Sequence, residues 1–480
     1  MPDATSHPGV ASRGMAFFPD AGYTAPPMPP RAYVPDYLLS GGRVLEGAAL
    51  VVEGAAVASV GAVPAGAEVV RLAGRAIAPG LVSAHSHAFQ RAIRGRTEQR
   101  AAGPGGQARD DFWSWREAMY AAAGRLSPDD LYTVSRMCFA EMAASGITAV
   151  GEFHYLHRDP EGRPYADPNE LSRAVVRAAR DVGLRVVLLR VAYARAGFEV
   201  ADNPRQRRFI EASPDEFLRN LHALSRALEG DALATVGAAP HSVRACPAHW
   251  IEAIAQESAR AGWPLHLHVS EQPGEIAQCR REHGTTPPLL LERLGALTPR
   301  TCAVHAVHLD ADDVSALARS GASVCACPTT ERNLGDGVVR ADQLLAAGVP
   351  LSLGTDSNVQ ISILEDARSL EYHLRLVELR RAVLDPGGGA RLYGLASEGG
   401  MRSLGLPGGA LRPGEPADFF TVDLDDASIA GAGADDLAAL LVFSLERTAI
   451  REVFVAGQKL APFSQAAVAP FRAALRRLWS

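Results

Sequence analysis

Histidines 85 and 87 stand two apart in the run LVSAHSH. On an extended strand that spacing sends both imidazoles to one side and Ser86 to the other, so two nitrogen donors are preset for a metal ion. More donors follow along the chain: His266, His268 and Glu271 in PLHLHVSE, His305 and His308 in TCAVHAVH, and Asp356 ahead of Ser357 and Asn358 in PLSLGTD. Three imidazoles and a carboxylate suit one Zn²⁺, and Fe²⁺ or Mn²⁺ accept the same nitrogen and oxygen donors. Period two leaves His266 and His268 on the same side, so spacing does not choose between them as the third ligand. No lysine stands at these strand ends to bridge two ions, and one ion per chain is expected.

These donors need a scaffold that gathers distant strand ends. Eight apolar, β-rich runs, at 81–87, 147–155, 185–193, 234–242, 264–271, 301–308, 322–328 and 350–356, alternate with helix-length amphipathic segments. Ser127-Pro128 and Ser213-Pro214 open two of those segments as a cap followed by an N1 proline. The pattern predicts an α/β chain with a (β/α)₈ TIM-type barrel over 80–408, whose C-terminal strand ends carry the chemistry. Short strands broken by glycine, at 36–79 and again at 409–480, predict a small β-sandwich formed by both chain ends, closed by a terminal helix. Residues 1–35, ending in the proline-rich run APPMPP, read as a Pro/Gly-rich tail.

Composition narrows the function classes. With 47% hydrophobic and 21% charged residues, 480 residues can bury a large core. Lys+Arg 48 against Asp+Glu 54 gives a net charge of −6, with no basic excess to attract nucleic acid or an anionic membrane. No apolar run reaches the length of a membrane span and the first residues lack a signal-peptide pattern, so the expected location is cytoplasmic. Six cysteines are too sparse for a disulfide framework, and Cys325-Ala-Cys327 reads as small residues on a buried strand.

The runs PGLVSAHSHAFQR, LHLHVSEQ, HAVHL, CPTTERNLGDG and GTDSN together resemble the amidohydrolase superfamily, in its cytosine and adenosine deaminase branch. GEFHYLHRDPEGRPYADPNEL (151–171), APHSVRA (239–245) and 327–337 are similar to the members of that branch that deiminate N-formimino-L-glutamate in histidine degradation. The resemblance covers most of 40–475. It implies His85, His87, His268 and Asp356 as metal ligands, Glu271 and His305 as catalytic groups, and His266 as a structural neighbour. Substrate contacts fall on Gln90, Arg116, Tyr155, His241 and Arg244. The implied reaction is metal-dependent hydrolysis to N-formyl-L-glutamate and ammonia, with Glu271 moving protons and His305 orienting the attacking oxygen. A substrate with two carboxylates calls for guanidinium forks, which Arg116 and Arg244 supply. The expected partners are that small dicarboxylate and, in a homodimer, a second copy of the chain. Two positions depart from the family pattern: Asn358 stands where a histidine is usual, and the tail before Arg31 has no counterpart. Two rival readings are an aminohydrolase or chlorohydrolase acting on a purine or triazine ring, whose pocket needs aromatic stacking more than arginines, and a metal-free barrel acting as a binding module. The complete donor set argues against the second.

Overall fold

Apolar residues at consecutive rather than alternate positions mark strands covered on both faces. Eight strands of that kind form the barrel in a computed structural model that describes residues 29–98 and 111–480. Five strands precede or open into it: β1 (Arg31–Ser40), β2 (Arg43–Glu46), β3 (Ala49–Glu53), β4 (Ala56–Gly61) and β5 (Glu68–Pro79). The barrel strands are β6 (Leu81–Ser86), β7 (Ile147–His154), β8 (Arg185–Ala192), β9 (Ala234–Pro240), β10 (Leu265–Val269), β11 (Thr301–His305), β12 (Ser323–Ala326) and β13 (Leu351–Leu353). Each coincides with one of the eight runs expected from sequence. They lie in the order β6 to β13, each parallel to the next. The ring closes between its first and last members through a bridge from Ser86 to Asp356, with the Asp356 amide donating to the His85 carbonyl at 3.0 Å.

Helices fill the returns. Ser127 caps the helix Pro128–Ala143 and Ser213 caps Pro214–Ala227, each accepting from the backbone three residues on with proline at the first helical position. The terminal helix Val468–Trp479 folds back on the barrel, where Trp479 Nε1 donates to the Ala92 carbonyl at 3.2 Å. All six cysteines are buried free thiols, Cys325 and Cys327 at the end of β12 among them.

Both chain ends share the second sheet. Its path adds β14 (Phe419–Asp423), β15 (Ile450–Val455) and β16 (Gln458–Lys459), running β16-β15-β14-β5-β1-β3-β4 with β2 on β1. Tyr33, Phe419 and Phe454 pack together in its core, the two phenylalanines stacked with centroids 4.3 Å apart. One boundary needs correction. Residues 31–35, placed in the tail by their proximity to the proline run, belong to β1, where Arg31 to Pro35 register with Glu68 to Leu72. The missing Pro35 N–H is tolerated because the register breaks between Pro35 and Tyr37. Residues 1–28 of the tail expected over 1–35 lie outside the described residues.

β5 continues into β6 across Gly80. A Cβ there would meet Thr148 Oγ1 at 2.2 Å, so only glycine lets the strand pass from one sheet to the other against β7.

Candidate active site

The ends of β6, β10 and β13 bring four groups to one point. His85 Nε2 lies 3.2 Å from both His87 Nε2 and His268 Nε2, and Asp356 Oδ1 lies 3.4 Å from His85 Nε2 and 3.3 Å from His87 Nε2. His87 Nδ1 pairs with the Phe153 carbonyl at 2.8 Å and His268 Nδ1 with the His241 carbonyl at 3.1 Å. Because a carbonyl only accepts, both Nδ1 atoms carry the hydrogen and both Nε2 lone pairs face inward. Burial holds His85, His87 and His268 below the ordinary imidazole range, His85 at about 3, so the rings are neutral. Burial opposes the Asp356 charge, yet the His85 bond and the nearby imidazoles hold its carboxyl far below the usual range. Inward lone pairs at van der Waals distance around a carboxylate repel one another unless a cation sits between them. The donor set therefore fits one divalent ion.

His266 is apart from this group. Its Nε2 pairs with the Ser403 carbonyl at 2.7 Å and so is turned away from the other imidazoles. Asn358 holds the turn that carries Asp356: Nδ2 donates to Ser86 Oγ at 3.1 Å and to the Asp356 carbonyl at 2.9 Å, while Oδ1 accepts from Thr355 Oγ1 at 2.8 Å. Asp356 and Asn358 both have positive φ, 44° and 55°, so these bonds fix a turn that the backbone resists.

A second layer surrounds His305. Its Nδ1 is 3.3 Å from Glu331 Oε1, and its Nε2 is 3.6 Å from Glu271 Oε1 and 3.7 Å from Asp356 Oδ2. Burial works against a charged ring, but Glu271, Glu331 and Asp356 raise its pKa to about 10 and keep it an imidazolium. Burial also raises the Glu271 carboxyl. Its backbone N–H donates to Glu275 Oε2 at 3.1 Å, which fixes the loop after β10. Glu331 and Glu275 went unnoticed in the sequence. Glu331 stands in CPTTERNLGDG five residues past the end of β12, and the strand-end rule that found Asp356 points to it as well.

The remaining candidates meet in the same cavity. His87, Gln90, Arg116, Tyr155, His241, Arg244, His268, Glu271, His305 and Asp356 all line it, and His85 lies beneath. Gln90 Nε2 donates to Tyr155 Oη at 2.9 Å. Arg116 projects from α1 (Phe112–Ala123) over the Trp113 ring at 4.7 Å, and Arg244 approaches the same ring at 5.8 Å. Arg116 Nε and Nη1 and Arg244 Nη1 are buried without a hydrogen-bond partner in the protein. Three unused donors on two guanidiniums have the chemistry to accept an anionic group.

The comparisons with known proteins agree with this construction. The amidohydrolase family profile matches residues 76–460. A formimidoylglutamate deiminase from Pseudomonas aeruginosa is 40% identical over 390 residues, covering 80% of this chain and 84% of that one. A 5-methylthioadenosine/S-adenosylhomocysteine deaminase from Archaeoglobus fulgidus is 31% identical over 72% of this chain and 74% of its own. Among solved structures, an amidohydrolase from Brucella melitensis is 33% identical with a TM-score of 0.85, covering 94% of this chain and all of that one. An adenosine deaminase from Xanthomonas campestris with bound zinc shares the fold at 23% identity and a TM-score of 0.79. A barrel closed by its first and last ligand strands, a buried three-histidine and aspartate centre, and these likenesses place the chain in the amidohydrolase family.

Proposed function

We propose that the protein hydrolyses the formimino C–N bond of N-formimino-L-glutamate, releasing ammonia and N-formyl-L-glutamate. The observation that carries this reading is the pairing, in one cavity, of the histidine and aspartate centre with two guanidiniums whose N–H groups are unused. The similarity to a formimidoylglutamate deiminase supports it. His85, His87, His268 and Asp356 would hold a single divalent ion, with Zn²⁺ first and Fe²⁺ or Mn²⁺ as alternatives. When bound, such an ion supplies the Lewis acidity that makes water a competent nucleophile near neutral pH.

The chain's own groups do the rest. Glu271, with its pKa raised by burial, takes a proton as the water oxygen bonds to the formimino carbon. It delivers that proton to the imino nitrogen as the C=N double bond becomes single. It then carries the second proton, from the added hydroxyl, to the same nitrogen, so that the C–N bond breaks, the carbon–oxygen bond becomes the formyl carbonyl and the electron pair leaves with ammonia. His305, charged and held by Glu331, donates through Nε2 toward the attacking oxygen. Arg116 and Arg244 bind the two carboxylates, and Gln90, Tyr155 and His241 line the path between them and the reacting carbon.

A ring-deaminating reading fits less well, because unpaired buried guanidiniums beside a neutral purine would stay unsatisfied. Among the described residues no helix is long and apolar enough to cross a membrane. We assign the enzyme to the cytoplasm as a homodimer, which light scattering on the purified protein tests. The functional test is ammonia release from N-formimino-L-glutamate beside adenosine and 5-methylthioadenosine. Turnover of the nucleosides alone would overturn the assignment.

A further inference from the structure

Behind Arg116 and Arg244 lies a group of three side chains with no part in the reading above. Tyr120, on α1, and Tyr193, just past β8, both line the cavity, and their hydroxyls are 3.2 Å apart. Gln206, wholly buried on the loop after β8, donates from Nε2 to Tyr120 Oη at 2.8 Å and to Tyr193 Oη at 2.9 Å. The two rings also pack against their neighbours. The Arg116 guanidinium packs over the Tyr120 ring at 5.4 Å, and Tyr193 meets the His241 ring edge-on at 4.6 Å.

Counting hydrogens decides what this group can offer. Both hydrogens of the Gln206 amide are committed, one to each phenol oxygen. The contact between the phenols uses one of their two hydroxyl hydrogens. The phenol that accepts from its neighbour accepts from Gln206 as well, so only its own hydrogen is left to give. Burial keeps the Tyr120 hydroxyl well above the usual phenol range, so it stays protonated. Toward a ligand this end of the cavity therefore turns mainly donors, one hydroxyl hydrogen, Arg116 Nε and Nη1, and Arg244 Nη1, against one remaining phenol lone pair. A carboxylate accepts from all of them, whereas a carboxamide turns at least one N–H donor toward another donor.

We propose that Tyr120, Tyr193 and Gln206 form a specificity unit in which Gln206, as a positioning residue, fixes the two phenols as a hydrogen-bond donor to one substrate carboxylate and so excludes the corresponding amide. The proposal rests on the formiminoglutamate reading and deepens it. Because either hydroxyl can supply the free hydrogen, the two tyrosines back each other up. Losing one costs little beside losing both.

The test uses the metal-loaded full chain with three substrates: N-formimino-L-glutamate, its side-chain carboxamide and its α-carboxamide. Wild type should strongly disfavour one of the two amides, and that identity tells which carboxylate the unit holds. Tyr120→Phe and Tyr193→Phe should each raise KM for the dicarboxylate a few-fold, and the double variant by about tenfold to hundredfold, with most of the change in KM rather than kcat. Gln206→Glu keeps the shape but accepts both hydroxyl hydrogens, so it should raise KM similarly and narrow the discrimination against the amide even if the double variant melts early. Wild-type KM and discrimination retained in both the double variant and Gln206→Glu would overturn the unit's role while leaving the functional reading intact. A wild-type enzyme inactive on formiminoglutamate would overturn that reading first.

Discussion

Glu271 stands between two demands: it must be near the reacting water, and it must gain and lose a proton within one turnover. Its 3.6 Å approach to His305 and its burial serve both. Glu271→Gln keeps the shape and removes the proton carrier, so metal content should stay at wild type while kcat falls by about 10² to 10⁴. Elemental analysis beside steady-state rates checks this, and a loss under about tenfold takes Glu271 out of the reaction. Arg244→Ala removes a charged partner from a dry site and should lower kcat/KM on formiminoglutamate by about 2 to 5 kcal/mol. Arg244→Lys should recover part of that, since an ammonium keeps the charge without the two-point grip. Beneath the centre, Glu152 is buried with Oε1 accepting from the Ala88 amide at 2.7 Å, and burial, against the bonds from Ala88 and Ser86, lifts its carboxyl from the ordinary 4.5 to about 8. A raised folded pKa means stability that is complete below about 4.5 and is lost as pH rises toward 8. Glu152→Gln lacks that loss, so its melting temperature relative to wild type should climb across this window, and a gap flat with pH would contradict it. At this scale the sequence was legible wherever strand period and strand ends act together, as at His85, His87 and Asp356. It was silent on Gln206, whose role comes from a loop that no local pattern aims.

Elements set how firmly those residues are held. α1, which carries Arg116 and Tyr120, is capped by Asp111 and tied to the loop after β8 through Glu117, whose carboxylate accepts from Asn203 Nδ2 at 3.0 Å and Arg205 Nη1 at 3.1 Å. That loop is in turn anchored by Glu211, which takes Arg190 Nη1 and Nη2 at 2.8 and 3.0 Å while Arg190 Nε reaches Asn169 Oδ1 at 3.0 Å. Arg190 is fully buried and Glu211 nearly so. Arg190→Met should therefore destabilise the protein by about 3 to 5 kcal/mol, because a buried carboxylate is left without its counter-charge and with Asn220 Nδ2 as its remaining donor. Urea denaturation measures it, and adding Glu211→Leu should restore a large part. A single variant within about 1 kcal/mol of wild type would show the pair to be dispensable. Arg190 sits in the run RVVLLRVAY, where the strand itself was evident from its apolar neighbours. Its partner could not be named, since Glu211 lies beyond the loop and only the folded chain brings the two together.

Across the whole molecule, the centre joins β6, β10 and β13, so an ion held there would cross-link the first, middle and last barrel strands. One ion per chain is expected by elemental analysis, and chelation should lower the melting temperature, with about 4 kcal/mol of stability at stake for a free ion a thousandfold above its Kd. An unchanged melt after complete removal would separate the centre from barrel stability. The barrel was legible from the alternation of eight runs with amphipathic segments, and the paired chain ends from their shared texture, but the start of β1 was hidden by the prolines around it. The second sheet has a consequence for synthesis. β5 waits for β14, its partner on one edge, which emerges well over 300 residues later. At ordinary elongation rates that delay is on the order of tens of seconds. Throughout it the nascent chain displays an open, apolar strand edge on the same rod of backbone that begins the barrel, a surface that a neighbouring ribosome's product can pair with. The interval between the two halves of this sheet is thus the stretch of synthesis in which pairing with another chain competes with completion of the sheet.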